Sequence, residues 1–286
     1  MNTWYILSIG ALICFGCERF LYKVSAARNL NTAWTTFAFM ATVTGISAGL
    51  FFMLGAHVAG IPFLVLVSLV NSVSFFVSTV SQIEALKHVH TSIVYPLIRL
   101  NTVIVVVFSL FYFKDSLSFS QGLGIILSIA VMVFMTRQLY EQKGSIGNRK
   151  VGLMLVMIAM VAGAVAAISS KFAALHTNIL AFIALSYTMG MMFSFSTRKR
   201  FHIDENNPNI KQALLLGFFI GLVNLAGFYL FLRALAAGPL SIIISITSMH
   251  FVVAIALTAL IYREKITLPR LTGICLSVAS IILMRL

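Results

Sequence analysis

A carboxylate at Glu18 and a guanidinium at Arg99 stand inside runs of oily side chains, "ICFGCERFLY" and "IVYPLIRLNTVIVVV". A charged group in apolar surroundings is expensive unless it faces protein or water, so each marks a place where a charged solute or a proton could be handled. Low polarity disfavours an ionised carboxylate, which lets a proton or a substrate cation compete for Glu18. Arg99 would attract or orient a carboxylate or another anionic group. The competing reading of Glu18 is a structural ion pair with Arg19 or Arg99.

Uncharged polar side chains extend this pattern. Ser68, Asn71, Ser74, Ser78 and Ser81 recur at spacings of three or four and form one stripe along a helix. Gly217, Gly221 and Asn224 share a face in a later segment. Arg99 lies on one face with Ser92, Tyr95 and Pro96, while Asn101 is turned about 200° away at about 100° per residue. The expected solute contacts are Asn71, Ser74, Ser78, Tyr95, Arg99, Asn224, Ser245 and Ser248, with Glu18 the candidate for proton coupling. Such hydroxyls and amides also serve as hydrogen-bonding glue between membrane helices, and Gly-x-x-x-Gly at 45/49 and at 217/221 reads as close helix packing. His250 reads as a helix–helix hydrogen-bonding residue, and Glu84, Lys171 and Arg233 as charges snorkelling near helix ends.

The elements that must hold these residues follow from composition. Of 286 residues 60% are hydrophobic and 9% charged, and the mean hydropathy is +1.02. A polytopic membrane protein is the reading. A bilayer core about 30 Å thick takes about 20 helical residues. Apolar runs between polar breaks give ten spans, at residues 3 to 22, 33 to 55, 61 to 86, 90 to 112, 119 to 137, 150 to 172, 178 to 197, 211 to 236, 239 to 262 and 268 to 285. The first 22 residues resemble a secretory signal, but they carry Glu18 and Arg19 and lack a basic start, so they are expected to remain as span 1. The longest hydrophilic stretch, residues 198 to 211, is too short for a soluble domain.

Cys14, Cys17 and Cys275 all fall in apolar runs, which suggests neither a disulfide framework nor a zinc site. No cofactor or metal is expected, and no Gly-rich Lys-Ser/Thr loop signals ATP coupling. The net charge of +13 sits in short loops, which points to membrane orientation rather than to nucleic acid.

Sliding the sequence on itself by 149 residues aligns its two halves without a gap from residue 85 to 137. Eleven of these 53 positions are identical, and the polar punctuation also agrees: Lys114-Asp115 meets Arg263-Glu264, Leu117-Ser118 meets Ile266-Thr267, and Gly124 meets Gly273. Ser92, Pro96 and Arg99 meet Ser241, Ser245 and Ser248, and Asn101 meets His250. A duplication follows, with a first repeat over 1–140 and a second over 141–286. Five spans per half is an odd number, so the second copy enters the membrane upside down. The expected fold is all-α and integral to the membrane, with ten transmembrane helices as two inverted five-helix repeats.

"FKDSLSFSQGLGIILSIAVMV" and "YREKITLPRLTGICLSVASIIL", each a basic–acidic pair followed by Leu-Ser or Ile-Thr and then Gly, resemble the EamA-like branch of the drug/metabolite transporter superfamily. The resemblance implies a ten-helix export carrier for metabolites, amino acids or drugs, with a central cavity between the halves. Many members have Pro early in spans 4 and 9 where this chain has Thr102 and Phe251. The leading expectation is therefore a secondary transporter exporting a small solute by alternating access, with Glu18 linking transport to protons. The alternative is an intramembrane enzyme acting on a lipid or prenyl group, which would gather acidic or metal-binding residues at one membrane face; Asp115 and Asp204 instead stand apart in loops. The expected partners are a small-molecule solute and the lipid bilayer of a plasma or inner membrane; oligomeric state does not follow from the sequence.

Orientation pulls two ways. Odd-numbered loops carry 14 basic residues and even-numbered loops with the termini carry four, which places the odd loops in the cytoplasm and both termini outside. The family resemblance implies both termini inside.

Overall fold

The computed structural model describes residues 3–28, 30–58, 60–85, 88, 94, 97–98, 100–139, 149–196, 209–262 and 268–286. Tyr95 and Arg99, two of the expected solute contacts, lie outside the described residues, as do Ser92 and Pro96. All regular elements described are helical: α1 (Thr3–Ala27), α2 (Thr32–Met53), α3 (Ile61–Ala85), α4 (Asn101–Phe108, continued by a π-turn Ser109–Phe113), α5 (Phe119–Leu139), α6 (Arg149–His176), α7 (Ile179–Ser196), α8 (Ile210–Ala237), α9 (Leu240–Ser248), α10 (His250–Tyr262) and α11 (Leu268–Leu283).

Among the described residues six helices or helix pairs are long and apolar enough to cross a bilayer: α1, α2, α3, α6, α8, and α9 with α10. Shorter apolar helices are α4, α5, α7 and α11. The side chains are arranged inside out relative to a water-soluble domain. Met53, Phe111 and Phe119 are exposed by 83%, 81% and 84%, whereas Glu18, Asn71, Asn224, Ser241 and Ser245 are all buried. Apolar surface this extensive is stable only against lipid, and polar groups turned inward find hydrogen bonds that lipid does not offer.

The 149-residue offset reappears in the packing. α1 lies along α8 and α3 along α6, α2 on α8 and α7 on α3, and α1 on α10 and α6 on α4. Adding or subtracting 149 turns the first member of each of these couples into the second.

Close approach of α8 to α2 depends on two glycines. A Cβ at Gly217 would collide with the Thr35 carbonyl and the Ala38 side chain, and one at Gly221 would lie 2.7 Å from Thr42 Cβ and 2.9 Å from the Phe39 oxygen. Gly45 and Gly49 differ from the expectation of close packing, because a Cβ at either would meet nothing within 4 Å. The spacing alone shows that a smooth stripe exists, and only the neighbour decides whether anything leans on it.

Two helix interruptions organise the centre. At Met249 (φ −83°, ψ 9°) the ladder tightens, so that Met249 N–H donates to Ile246 O at 3.0 Å and Val252 N–H to Met249 O at 2.9 Å. At Leu100 (φ −65°, ψ −8°) the same pattern appears, Leu100 to Leu97 at 3.1 Å and Val103 to Leu100 at 2.9 Å. Near-zero ψ converts the i−4 ladder into i−3 bonds. Leu100 and Met249 differ by 149 in number, and each sits two residues before Thr102 or Phe251. Neither turn has a proline at the interrupted residue or two residues beyond it.

Candidate functional site

The two interruptions meet where α4 crosses α9. Thr102 Oγ1 and Ser248 Oγ lie 3.2 Å apart, and Ser248 also donates to Ile244 O at 2.6 Å. Ser245, one turn earlier, is fully buried and donates to Ser241 O at 2.8 Å. Asn101 points the other way, towards α6, where a Cβ on Gly163 would fall 3.0 Å from its Nδ2 and 3.3 Å from Ser78 Oγ. His250 is buried, with Nδ1 2.8 Å from Thr247 O and its ring edge-on to Phe15 at 6.5 Å.

Glu18 occupies a second polar centre, formed by α1, α7 and α8. Only 5% of it is exposed. Its Oε2 accepts a 3.0 Å hydrogen bond from Asn224 Nδ2, and the Asn224 Oδ1 in turn accepts the Tyr187 hydroxyl proton. Tyr22, one turn on from Glu18, shares a side-chain hydrogen bond with it. Arg19 turns outward, its guanidinium 5.5 Å over the Tyr22 ring. Phe39 and Phe228 hold the Tyr187 ring edge-on at 5.7 and 5.9 Å. Neither tyrosine is a candidate by sequence, because a Tyr in an apolar run carries no periodic signal of its own. The helix-8 amide is legible there, since it shares a face with Gly217 and Gly221.

The α3 stripe divides between partners. Asn71 Nδ2 donates to Ala166 O at 2.8 Å and lies 3.0 Å from both Ser169 Oγ and Ser170 Oγ. Ser78 donates to Ala159 O at 2.8 Å. Both therefore tie α3 to α6. Ser74 is half-buried, and the Ser68 hydroxyl is buried without a partner among the described residues. Ser72, off the stripe, donates to Ser186 O on α7 at 2.7 Å.

A third polar cluster closes one end of the bundle. Asp115 Oδ2 accepts hydrogen bonds from Ser109 Oγ at 2.5 Å, Ser241 Oγ at 2.7 Å and Ser241 N–H at 3.0 Å. The carboxylate thus caps the first turn of α9 from another part of the chain, where an anion meets unpaired amides and the positive end of the helix dipole. Lys171 does not snorkel as expected. It is 7% exposed and donates to Leu235 O at 2.5 Å and Gly238 O at 2.8 Å, with Nζ 5.7 Å from the Phe113 ring centre. The last carbonyls of α8 carry partial negative charge, so they hold the ammonium inside. Arg233 is exposed, and Glu84 lies 3.9 Å from His88. An open recess of about 480 Å³ lies here, lined by Trp4, Phe113, Asp115, Gln121, Lys171 and Gly238 among others. The cysteines are free, and no group of metal-ligand type is found among the described residues.

The sequence pattern of the EamA-like transporter family matches this chain twice, over residues 2–137 and 150–286. A solved structure described as "Crystal structure of protein" has a TM-score of 0.77 at 14% identity, covering 100% of this chain and 99% of that one, which is a likeness of fold. No curated protein matches. With two matches that together take in nearly every residue, the chain belongs to the EamA-like transporter family, within the drug/metabolite transporter superfamily.

Proposed function

We propose that this membrane transporter is a secondary carrier that exports a small metabolite, amino acid or drug-like solute by alternating access. Ten transmembrane helices form two inverted five-helix repeats, 1–140 and 141–286, and the solute path runs between them. The observation that carries this reading is the pair of helix interruptions at Leu100 and Met249, equivalent under the 149-residue offset and bridged by Thr102 and Ser248. Interrupted helices in corresponding positions of two inverted halves are where secondary transporters place substrate, because the turn frees backbone and side-chain polar groups at the midplane.

In this reading Arg99 and Tyr95 contact the solute, Arg99 orienting an anionic group and Tyr95 offering an aromatic surface. Ser248 and Ser245 contribute from the second repeat, with Asn71, Ser74, Ser78 and Asn224 framing the path. Glu18 carries the coupled proton. Proteoliposomes containing the protein, screened with amino acids, organic anions and lipophilic cations with and without a proton gradient, test it. Transport of at least one class is expected to respond to the gradient in wild type and to lose that response in Glu18→Gln. Arg99→Ala is expected to abolish transport with the fold intact; gradient-independent transport, or full transport by Arg99→Ala, refutes the corresponding role.

A further inference from the structure

The hydrogen-bond chain from Glu18 has a direction, and that direction assigns a task to Tyr187. A carboxylate can only accept, so Asn224 must present its NH₂ to Glu18 and its carbonyl oxygen elsewhere. The Tyr187 hydroxyl, a donor aimed at that carbonyl oxygen, keeps the amide in this orientation. Its ring cannot drift, because Phe39 of α2 and Phe228 of α8 pack against it. Glu18, Asn224 and Tyr187 therefore form a clamp from α1 through α8 to α7, with Glu18 and Asn224 buried and Tyr187 half-buried.

We infer that Tyr187 is a positioning residue for Glu18: by fixing the Asn224 amide, it makes the α1–α8–α7 clamp tight when Glu18 is ionised and slack when Glu18 carries a proton or meets a cationic group. This rests on the reading of Glu18 as the proton-coupling group. A hydrogen bond to an ionised acceptor is roughly twice as strong as one between neutral groups, and protonation removes that charge. The signal then has a path to α7, whose Tyr187 sits where α2, α7 and α8 meet. The other titratable and charged groups beside Glu18 on α1 are Cys14, Cys17, Arg19 and Tyr22, while His250 of α10 packs on Phe15 and is paired through Nδ1 to Thr247 O.

The test uses the full chain in liposomes with two readouts taken together. Infrared difference spectra between acid and alkaline buffer report the Glu18 carboxyl band, assigned by its loss in Glu18→Gln. Amide hydrogen exchange, corrected for the intrinsic pH dependence, reports protection along α7. In wild type the α7 amides are expected to exchange roughly tenfold faster in the protonated state, the ratio expected when a charge-assisted bond becomes a neutral one. Glu18→Gln should exchange at the fast rate at every pH. Tyr187→Phe should keep the Glu18 carboxyl band but lose the pH-dependent difference in α7, and Asn224→Leu should do the same from the middle of the chain. A Tyr187→Phe protein that retains both the band and the wild-type difference in α7 overturns the positioning role. Absence of any titrating Glu18 band in wild type overturns the proton-coupling reading itself, a result separable from the first because it appears without any variant at Tyr187.

Discussion

Replacing Asp115 by Ala should loosen the contact between the first-half loop and α9, and the structure sets the scale. Three donors converge on one carboxylate oxygen: Ser109 Oγ, Ser241 Oγ and Ser241 N–H. The hydroxyls can turn to nearby helix carbonyls once the acid is gone, so their loss is small. The Ser241 amide belongs to the first turn of α9 and has no such recourse, and losing a helix cap costs about 0.5–2 kcal/mol. Charge assistance adds to this, but Asp115 is only half-buried and solvent screens part of it. The sum for Asp115→Ala is about 2–3 kcal/mol. Ser241→Ala keeps the amide–carboxylate bond and should cost about 1 kcal/mol. Reversible unfolding of the detergent-solubilised protein, followed by loss of helical circular dichroism, measures both. The double variant completes a cycle whose coupling energy should be about 1 kcal/mol, since the two residues share one contact. Strict additivity would show that the Ser241 hydroxyl and the carboxylate do not couple, and a loss below about 0.5 kcal/mol for Asp115→Ala would show that the carboxylate cap adds little to stability.

Further outcomes follow from other contacts. Lys171→Met keeps the stem but strips the donors from the Leu235 and Gly238 carbonyls, and should destabilise by about 1–3 kcal/mol in the same unfolding assay. Gly221→Leu should prevent α8 from closing on Thr42 and Phe39 and reduce folded yield sharply, while Gly45→Leu, which faces open space, should leave yield and unfolding unchanged. A reporter active only in the cytoplasm, fused after Leu286, should remain silent if the 14-to-four excess of basic residues in odd loops sets the orientation; activity would place that terminus inside.

How much of the molecule is legible in its sequence varies residue by residue. Six of the ten expected spans, those that return as α1, α2, α3, α6, α8 and α9 with α10, are legible because a run of about twenty apolar residues matches the thickness of a bilayer core and suits little else. The duplication is legible because 149 is a single constant offset that polar residues also obey. That offset carries Ser109, Asp115 and Ser241 onto Thr258, Glu264 and Ser92, so the chain holds the same hydroxyl and acid types twice. What the triple does is not legible, because Ser241 is 126 residues from Asp115 and nothing in spacing brings them together.

Periodicity determined which residues share a helix face, and tertiary structure decided which neighbour that face meets. Asn71 and Asn224 illustrate the division. Both are amides on a periodic face near small residues, and in the sequence they are equivalent candidates. In the fold Asn71 turns its donor to an α6 backbone carbonyl and two serines, whereas Asn224 joins a buried carboxylate to a tyrosine. The same contrast separates Gly45 from Gly221 and Lys171 from Arg233. Facing is a local property of 3.6 residues per turn, so the sequence contains it. Partnership depends on the packing of helices far apart in the chain, and a buried polar group takes its role from the partner that satisfies it.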